Sequence, residues 1–352
     1  MKLFKSLLVA PATLGLLAPM AASANEVTIN DFNAAEEIAV TNSRVDGLEA
    51  RFNNLEAGSF SETTTASFGV DFLVGAVDGA SSEATAFSYQ MGIGLETSFT
   101  GEDALSATID IGNGSGAAAG SDGLNFDSTS DILVLDGLTY TFPLGAATVM
   151  VGDNTDISAV YTGACAYSAF TDYMGNCGTG SSVGVGGSGA TAAMSYAFDS
   201  GFSLAGGVSS EPTSILTEEG TDVFGIEAAY TADSYGLALA YSDAESTTGW
   251  GVNGMYAFDF ATISAGVESE DTGSATAEGF FVGLSFPEVG AGTFDIGLGT
   301  SANYASSETE YYTYEASYSY PINDGMTITP GVYIKEGATD QTGFGVKTSF
   351  SF

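Results

Sequence analysis

The chain ends in a strict alternation. Phe344, Val346, Thr348, Phe350 and Phe352 fall on one face, and Gly345, Lys347, Ser349 and Ser351 on the other. A period of two marks a strand, because successive side chains of extended backbone point to opposite sides. The stretch is long enough for a tilted strand to cross a bilayer, which takes about 9–11 residues. One face suits hydrocarbon and the other suits water. Hydrocarbon satisfies no free sheet edge, so one lipid-crossing strand obliges the rest of the chain to supply a closed sheet. The alternative is a half-buried strand closing a soluble domain, and the preceding sequence has to decide between them.

It repeats the pattern. Sixteen alternating segments begin near Ser61, Thr85, Ala104, Asp131, Ala146, Ala190, Phe202, Thr221, Ser234, Thr248, Phe260, Ala275, Thr293, Glu310, Gly325 and Gln341. Even-to-odd junctions are short, as at Asp199–Gly201, Ala232–Ser234 and Pro321–Asp324. Odd-to-even junctions tend to be longer and more polar, as at Gly112–Ser130, Asn154–Gly189 and Ser210–Gly220. Short periplasmic turns opposite longer outer loops are the asymmetry of transmembrane barrels. The expected fold class is therefore an all-β transmembrane antiparallel barrel of about sixteen strands. An even count returns both barrel ends to the periplasmic side.

Parity assigns faces. Phe68, Val70, Phe72 and Val74 face lipid in the first strand, and Phe87, Tyr89, Met91, Ile93 and Leu95 in the second. The same holds for Phe280, Val282, Leu284 and Phe286, and for Tyr312, Tyr314, Ala316, Tyr318 and Tyr320. The opposite parity turns Asp71, Glu96, Asp110, Glu227, Glu268, Asp295, Glu315 and Lys347 inward as candidate pore-lining residues. A charge on the lipid face would cost several kcal/mol, roughly 2–4 at mid-bilayer, so parity and chemistry agree. Asp136 breaks the rule by falling with the apolar set of the fourth strand, and a bulge would restore the phase.

Charge narrows the function. Lys plus Arg total 6 against 44 Asp plus Glu, with no His. No basic residue stands between Phe52 and Ile334. Nucleic acid is excluded as a partner, since phosphate recognition needs cations. Without His, no Ser–His or Cys–His pair can form, so an enzyme is not expected. No cofactor is expected, and no defined metal loop occurs. A calcium-binding β-roll is disfavoured by the absence of its glycine-aspartate nonapeptide repeat.

Residues 1–24 read as a signal peptide: Lys2 and Lys5, an apolar run from Leu7 to Leu17, and the small residues Ala22, Ser23 and Ala24 before a cleavage point. Residues 25–58 read as a periplasmic helical stalk, and 59–352 as the barrel. Asn33 and Glu36 have capping-box spacing. Ile38, Val45 and Phe52 recur every seven residues, with Leu48 and Leu55 three beyond the last two, as a and d positions of a short heptad pattern. Such a helix is too short to stand alone in water. It is expected to self-associate, as a trimeric coiled coil; an amphipathic helix packed on or plugging the barrel is the alternative.

The stretch from Arg44 to Ala50, continued by Leu55 to Thr65, resembles the coiled-coil-to-barrel junction of cyanobacterial porins, which are similar to the OprB-type carbohydrate-selective porins. The likeness recurs from Tyr161 to Tyr167 and in the terminal Phe352, which resembles the closing signal of outer-membrane barrels. The resemblance implies a homotrimer in the bacterial outer membrane that passes small hydrophilic solutes, ions or sugars. Many relatives carry an S-layer-homology domain ahead of the stalk. Only residues 25–32 stand there in this chain, so contact with the cell wall is not implied.

The longest connection, Asn154–Gly189, holds Cys165 and Cys177, a pair consistent with an oxidising compartment. The resemblance implies that this loop folds inward and narrows the channel, with Tyr161, Tyr167, Asp172 and Tyr173 at the constriction and tyrosine faces open to sugar rings. A surface latch, rigidified by a bridge worth about 3 kcal/mol, is the alternative. For the whole protein, the leading expectation is a passive channel preferring cations, because acidic rings favour them. A structural barrel with a closed lumen is the rival.

Overall fold

The computed structural model describes residues 64–352, apart from 81–83, 115–122, 125–128, 172–188, 219, 301–303 and 306–308. The signal peptide and the stalk residues Ile38, Val45, Leu48, Phe52 and Leu55 lie outside the described residues. The rest forms one antiparallel sheet. Its strands are β1 (Thr64–Asp78), β2 (Ala86–Thr97), β3 (Ala104–Gly112), β4 (Val134–Leu144), β5 (Ala147–Thr155) and β6 (Gly189–Ala197). There follow β7 (Phe202–Ser210), β8 (Asp222–Thr231), β9 (Tyr235–Ala244), β10 (Thr247–Ala257), β11 (Thr262–Asp271) and β12 (Thr276–Val289). The ring is completed by β13 (Gly292–Thr300), β14 (Tyr304–Ala305), β15 (Tyr312–Asn323), β16 (Met326–Lys335) and β17 (Gln341–Ser351).

Strands pair with their neighbours in sequence, and β17 returns to β1 in register from Gly69↔Ser351 to Asp78↔Thr342. The backbone amides of Phe352 and Phe68 exchange bonds of 3.0 and 2.9 Å with each other's carbonyls. No edge remains at that seam. Sixteen strands make the barrel, because β13 pairs directly with β15. The two-residue β14 only adds to β12 at Ala277 and Glu278, and alternation could not reveal so short a piece. Every expected segment start lies within three residues of an observed one, the widest being Ser61 against Thr64 and Asp131 against Val134.

Burial separates the faces. In β8, Ile226 is 62 % exposed while its neighbour Glu227 is 3 % exposed. Phe224, Leu237, Leu239, Trp250, Val267, Val332 and Phe344 are exposed on the outer parity. Alternation alone demands this in a closed sheet. Asp136 is accommodated by a register shift: Thr108 pairs with Gly137 and Ile109 with Leu135, so Asp136 is the unpaired extra residue.

The two barrel ends differ. At one, the turns are short, as at Gly145–Ala146 and Asp324–Gly325. Aromatic pairs cluster there: Tyr140–Phe142, Tyr196–Phe198, Phe202–Tyr230, Tyr230–Tyr235, Tyr256–Phe258, Phe258–Phe260, Phe286–Phe294, Tyr318–Tyr320 and Phe68–Phe352. This is one girdle, of the kind that amphipathic rings form at a membrane–water boundary. Connections at the other end are mostly longer, with three short exceptions. Only Glu245 and Ser246 join β9 to β10, residues 272–275 join β11 to β12, and residues 336–340 join β16 to β17.

Candidate functional site: a loop strapped to the inner wall

The connection after β5 does not stay at the rim. Asp156 starts it by accepting bonds from the amide and hydroxyl of Ser158 at 2.7 and 2.5 Å. That cap sets a 3₁₀ turn, Ile157–Val160. Ile157 is fully buried among Met150, Ala193, Val223 and Ala240, on β5, β6, β8 and β9. The chain then crosses strand after strand. A peptide running across a sheet finds no ladder, so its amides need side-chain acceptors.

The wall supplies them. Glu227 accepts from the amides of Thr162 and Gly163 at 2.6 and 3.1 Å. Asn253 Oδ1 accepts from Ala164 at 2.9 Å, and Ser264 Oγ from Ala166 at 3.0 Å. Glu315 takes the far end. Its Oε1 accepts from the Tyr167 hydroxyl and the Phe170 amide, both at 2.8 Å. Its Oε2 accepts from the amide and hydroxyl of Thr171 at 3.0 and 2.6 Å. Acceptors on β8, β10, β11 and β15 all serve one segment. Only a path through the interior reaches them, because they share the inner parity.

Glycines on the wall make room for this strap. A Cβ on Gly283 would overlap the Tyr167 ring, and one on Gly331 would lie 2.6 Å from Phe170 ring atoms. Tyr167 packs on Phe281 with ring centroids 5.0 Å apart. Phe170 joins Leu73, Val77 and Tyr333, together with Leu124 from the β3–β4 connection. Ala164 packs on Ala229 and Ala238. Each buried apolar cluster of the described residues thus contains a loop side chain seated on the wall.

Burial, then the charges of Glu227 and Asp156, push the Tyr161 phenol far above its ordinary value. Burial, then the charge of Glu315 and the bond to it, do the same for Tyr167. Both stay neutral, and Tyr167 stays a donor.

The candidate residues divide. Glu227, Glu268, Asp295 and Glu315 are buried on the inner wall, and two of them hold the strap rather than line open space. Asp71 and Asp110 are half-buried and Glu96 is exposed, on β1, β3 and β2. Lys347 is half-buried on β17, opposite Leu73. Tyr167 sits over Gly283 with its ring tilted 49° against Phe281 and is buried, so it offers no open face to a sugar, unlike the expectation above. Tyr161 packs against the Ile157 cluster. Cys165 is disulfide-bonded; Cys177, Asp172 and Tyr173 lie outside the described residues. Sequence reasoning missed Asn253, Ser264, Gly283 and Gly331. Each is an ordinary inward small or polar residue until the loop's path is known.

No protein-family model matches the chain. Over 160 residues, 40 % of its length, the chain is 35 % identical to the uncharacterized protein alr4550 of Nostoc sp. (strain PCC 7120), and it spans 27 % of that protein. Among solved structures, Pseudomonas putida OprB at high pH aligns with a TM-score of 0.65 and 12 % identity, over 82 % of this chain and 94 % of that one. A double mutant of Rhodopseudomonas blastica porin aligns at 0.59 with 18 % identity, over 82 % of this chain and all of the other, 100 %. The fold is that of the bacterial porins.

Proposed function

We propose that this protein is an outer-membrane porin, a passive diffusion channel for small hydrophilic solutes with a preference for cations. The observation that carries the reading is the strap: a closed sixteen-strand barrel whose longest loop is bonded along the inner wall. Barrels of this size hold more than side chains can fill, and an inward loop narrows such a lumen without sealing it. The outward apolar face and the aromatic girdle support a place in a bilayer. The acidic excess of 44 carboxylates over 6 basic residues supports the cation preference. Ions and small sugars are the solute class. The working unit is a homotrimer assembled through the stalk, exported after cleavage behind Ala24. The chemistry is passage, not catalysis.

Reconstitution into planar bilayers tests this. Discrete single-channel steps are expected, with a reversal potential of cation-selective sign in a salt gradient, and liposomes loaded with small sugars should swell. Absence of any current from correctly folded protein would favour a structural barrel with a closed lumen.

A further inference from the structure

Seven inward carboxylates were candidates for one role, and the structure gives them two environments. Glu227 and Glu315 are 3 % exposed, and both face backbone amides of the strap. Asp295 is equally buried, between its register partners Ser285 and Ser317. Glu268 is buried beside Gly251 and Gly279. Carboxylates so covered stand away from a passing ion. Asp71, Glu96 and Asp110 differ. They lie on the adjacent strands β1, β2 and β3, on the inner parity, and are half-buried or exposed.

Their arrangement follows from register. Asp71 faces Gln90, whose amide donates to it at 3.2 Å. Two residues along β2, Gly92 faces Gly69 on one side and Asp110 on the other. Neither glycine has a side chain, so the wall is recessed there. The recess holds about 200 Å³ and is bordered by Asp71, Gln90, Asp110 and Thr129. Glu96, opposite Thr65 and Ser106, continues the line four residues nearer the short-turn end. Neighbouring strands lie about 4.8 Å apart, so the Asp71 and Asp110 backbones are on the order of 10 Å apart. That is about one Debye length at physiological salt, so one ion feels both. Lys347 stands diagonally across from Asp71, on the strand that faces β1 from the other side.

We propose that Asp71, Glu96 and Asp110 set the charge selectivity of the channel from one side of the wall, whereas Glu227 and Glu315 set the position of the strap. The proposal rests on the channel reading above. It makes selectivity a property of β1–β3, opposed by Lys347, and conductance a property of β8 and β15. In water, a full charge about 5 Å from a passing monovalent ion weights its passage roughly fourfold before screening.

The experiment compares potassium-to-chloride permeability ratios from reversal potentials in planar bilayers. Each variant is first checked for folding by heat-modifiable gel migration. The triple variant Asp71→Asn, Glu96→Gln, Asp110→Asn should lose several-fold in the ratio. Lys347→Gln should raise it. The double variant Glu227→Gln, Glu315→Gln should change single-channel conductance or noise while moving the ratio less than the triple does. A second arm avoids comparing separately folded proteins. Asp71→Cys, modified in the bilayer with a negatively charged and then, in a separate membrane, a positively charged thiosulfonate, should keep and lose the cation preference respectively. A wild-type channel that conducts with cation preference, but keeps it in the triple variant and under both reagents, overturns this assignment alone. A wild-type protein that carries no current overturns the channel reading with it.

Discussion

Asp103 shows how one side chain closes a turn. It ends the β2–β3 connection, whose Gly101 adopts φ +86°. Its Oδ1 accepts from the amides of Phe99 and Thr100 at 2.9 and 2.7 Å and from the hydroxyls of Ser98 and Thr100 at 2.9 and 2.7 Å. Its Oδ2 accepts from the Tyr140 hydroxyl on β4 at 2.7 Å. Burial by itself would raise this carboxyl. The bonds from the Thr100 amide and from the Tyr140, Thr100 and Ser98 hydroxyls outweigh it and hold the group well below its ordinary value of 3.8. A depressed carboxyl stabilises the fold above its unfolded value and loses that contribution as pH falls toward its folded one. Asp103→Asn should therefore melt below the wild type in detergent at neutral pH. The gap should stay constant down to about pH 4 and shrink below it, where the unfolded wild-type chain takes up a proton that the folded one resists and the variant has none to take up. Circular dichroism melts at several pH values measure it. A gap unaltered by acid would mean that shape, not charge, holds the turn.

At the scale of elements, strands and strap were unequally legible. The strands are written as alternation, because each buried or lipid-facing side chain has a neighbour of opposite environment. Even the Asp136 bulge could be located, since a charge in the apolar phase has few other resolutions. The strap has no period. Its attachments are Glu227, Asn253, Ser264 and Glu315, spread over strands far apart in sequence, and nothing local distinguishes them from other inward polar residues. Nor does the sequence show which way a loop ring turns: Tyr167 faces the wall, because Gly283 leaves a seat there. Glu315→Gln tests the strap as an element. The amide keeps the volume but replaces one acceptor with a donor, so some of the four donors now meet a like group. Each buried donor left unpaired costs about 1–3 kcal/mol. The bonds at Glu227, Asn253 and Ser264 remain, so only the far end is released. Noisier single-channel current with altered conductance is expected, with little change in barrel melting, because the ladder of β15 with β13 and β16 is untouched. Quiet wild-type current from the variant would show that other contacts of Phe170 suffice.

Across the whole molecule charge outweighs every other feature, a formal −38 with no basic residue from Phe52 to Ile334. An excess of this size can act in two ways. Spread through a water-filled passage, it enriches cations by its field, and the effect reaches only as far as the Debye length. Concentrated at one desolvated point, it would hold a cation by contact, and bulk salt would matter little. The β1–β3 line is half-buried to exposed, bordering a recess rather than a closed cage, so the selectivity proposed above belongs to the first regime. The Debye length falls from about 30 Å at 0.01 M to about 3 Å at 1 M salt. At the low end it exceeds the separations along the acidic line, and all three wall carboxylates contribute together. At the high end an ion feels only a charge it nearly touches. The permeability ratio for potassium over chloride, measured with a fixed concentration ratio across the bilayer and rising absolute salt, should therefore fall steadily toward unity. A ratio that holds from dilute to molar salt would locate selectivity in a contact site instead of a field. The three wall carboxylates would then have to act by coordination, a role their spacing of several ångströms along separate strands does not suit.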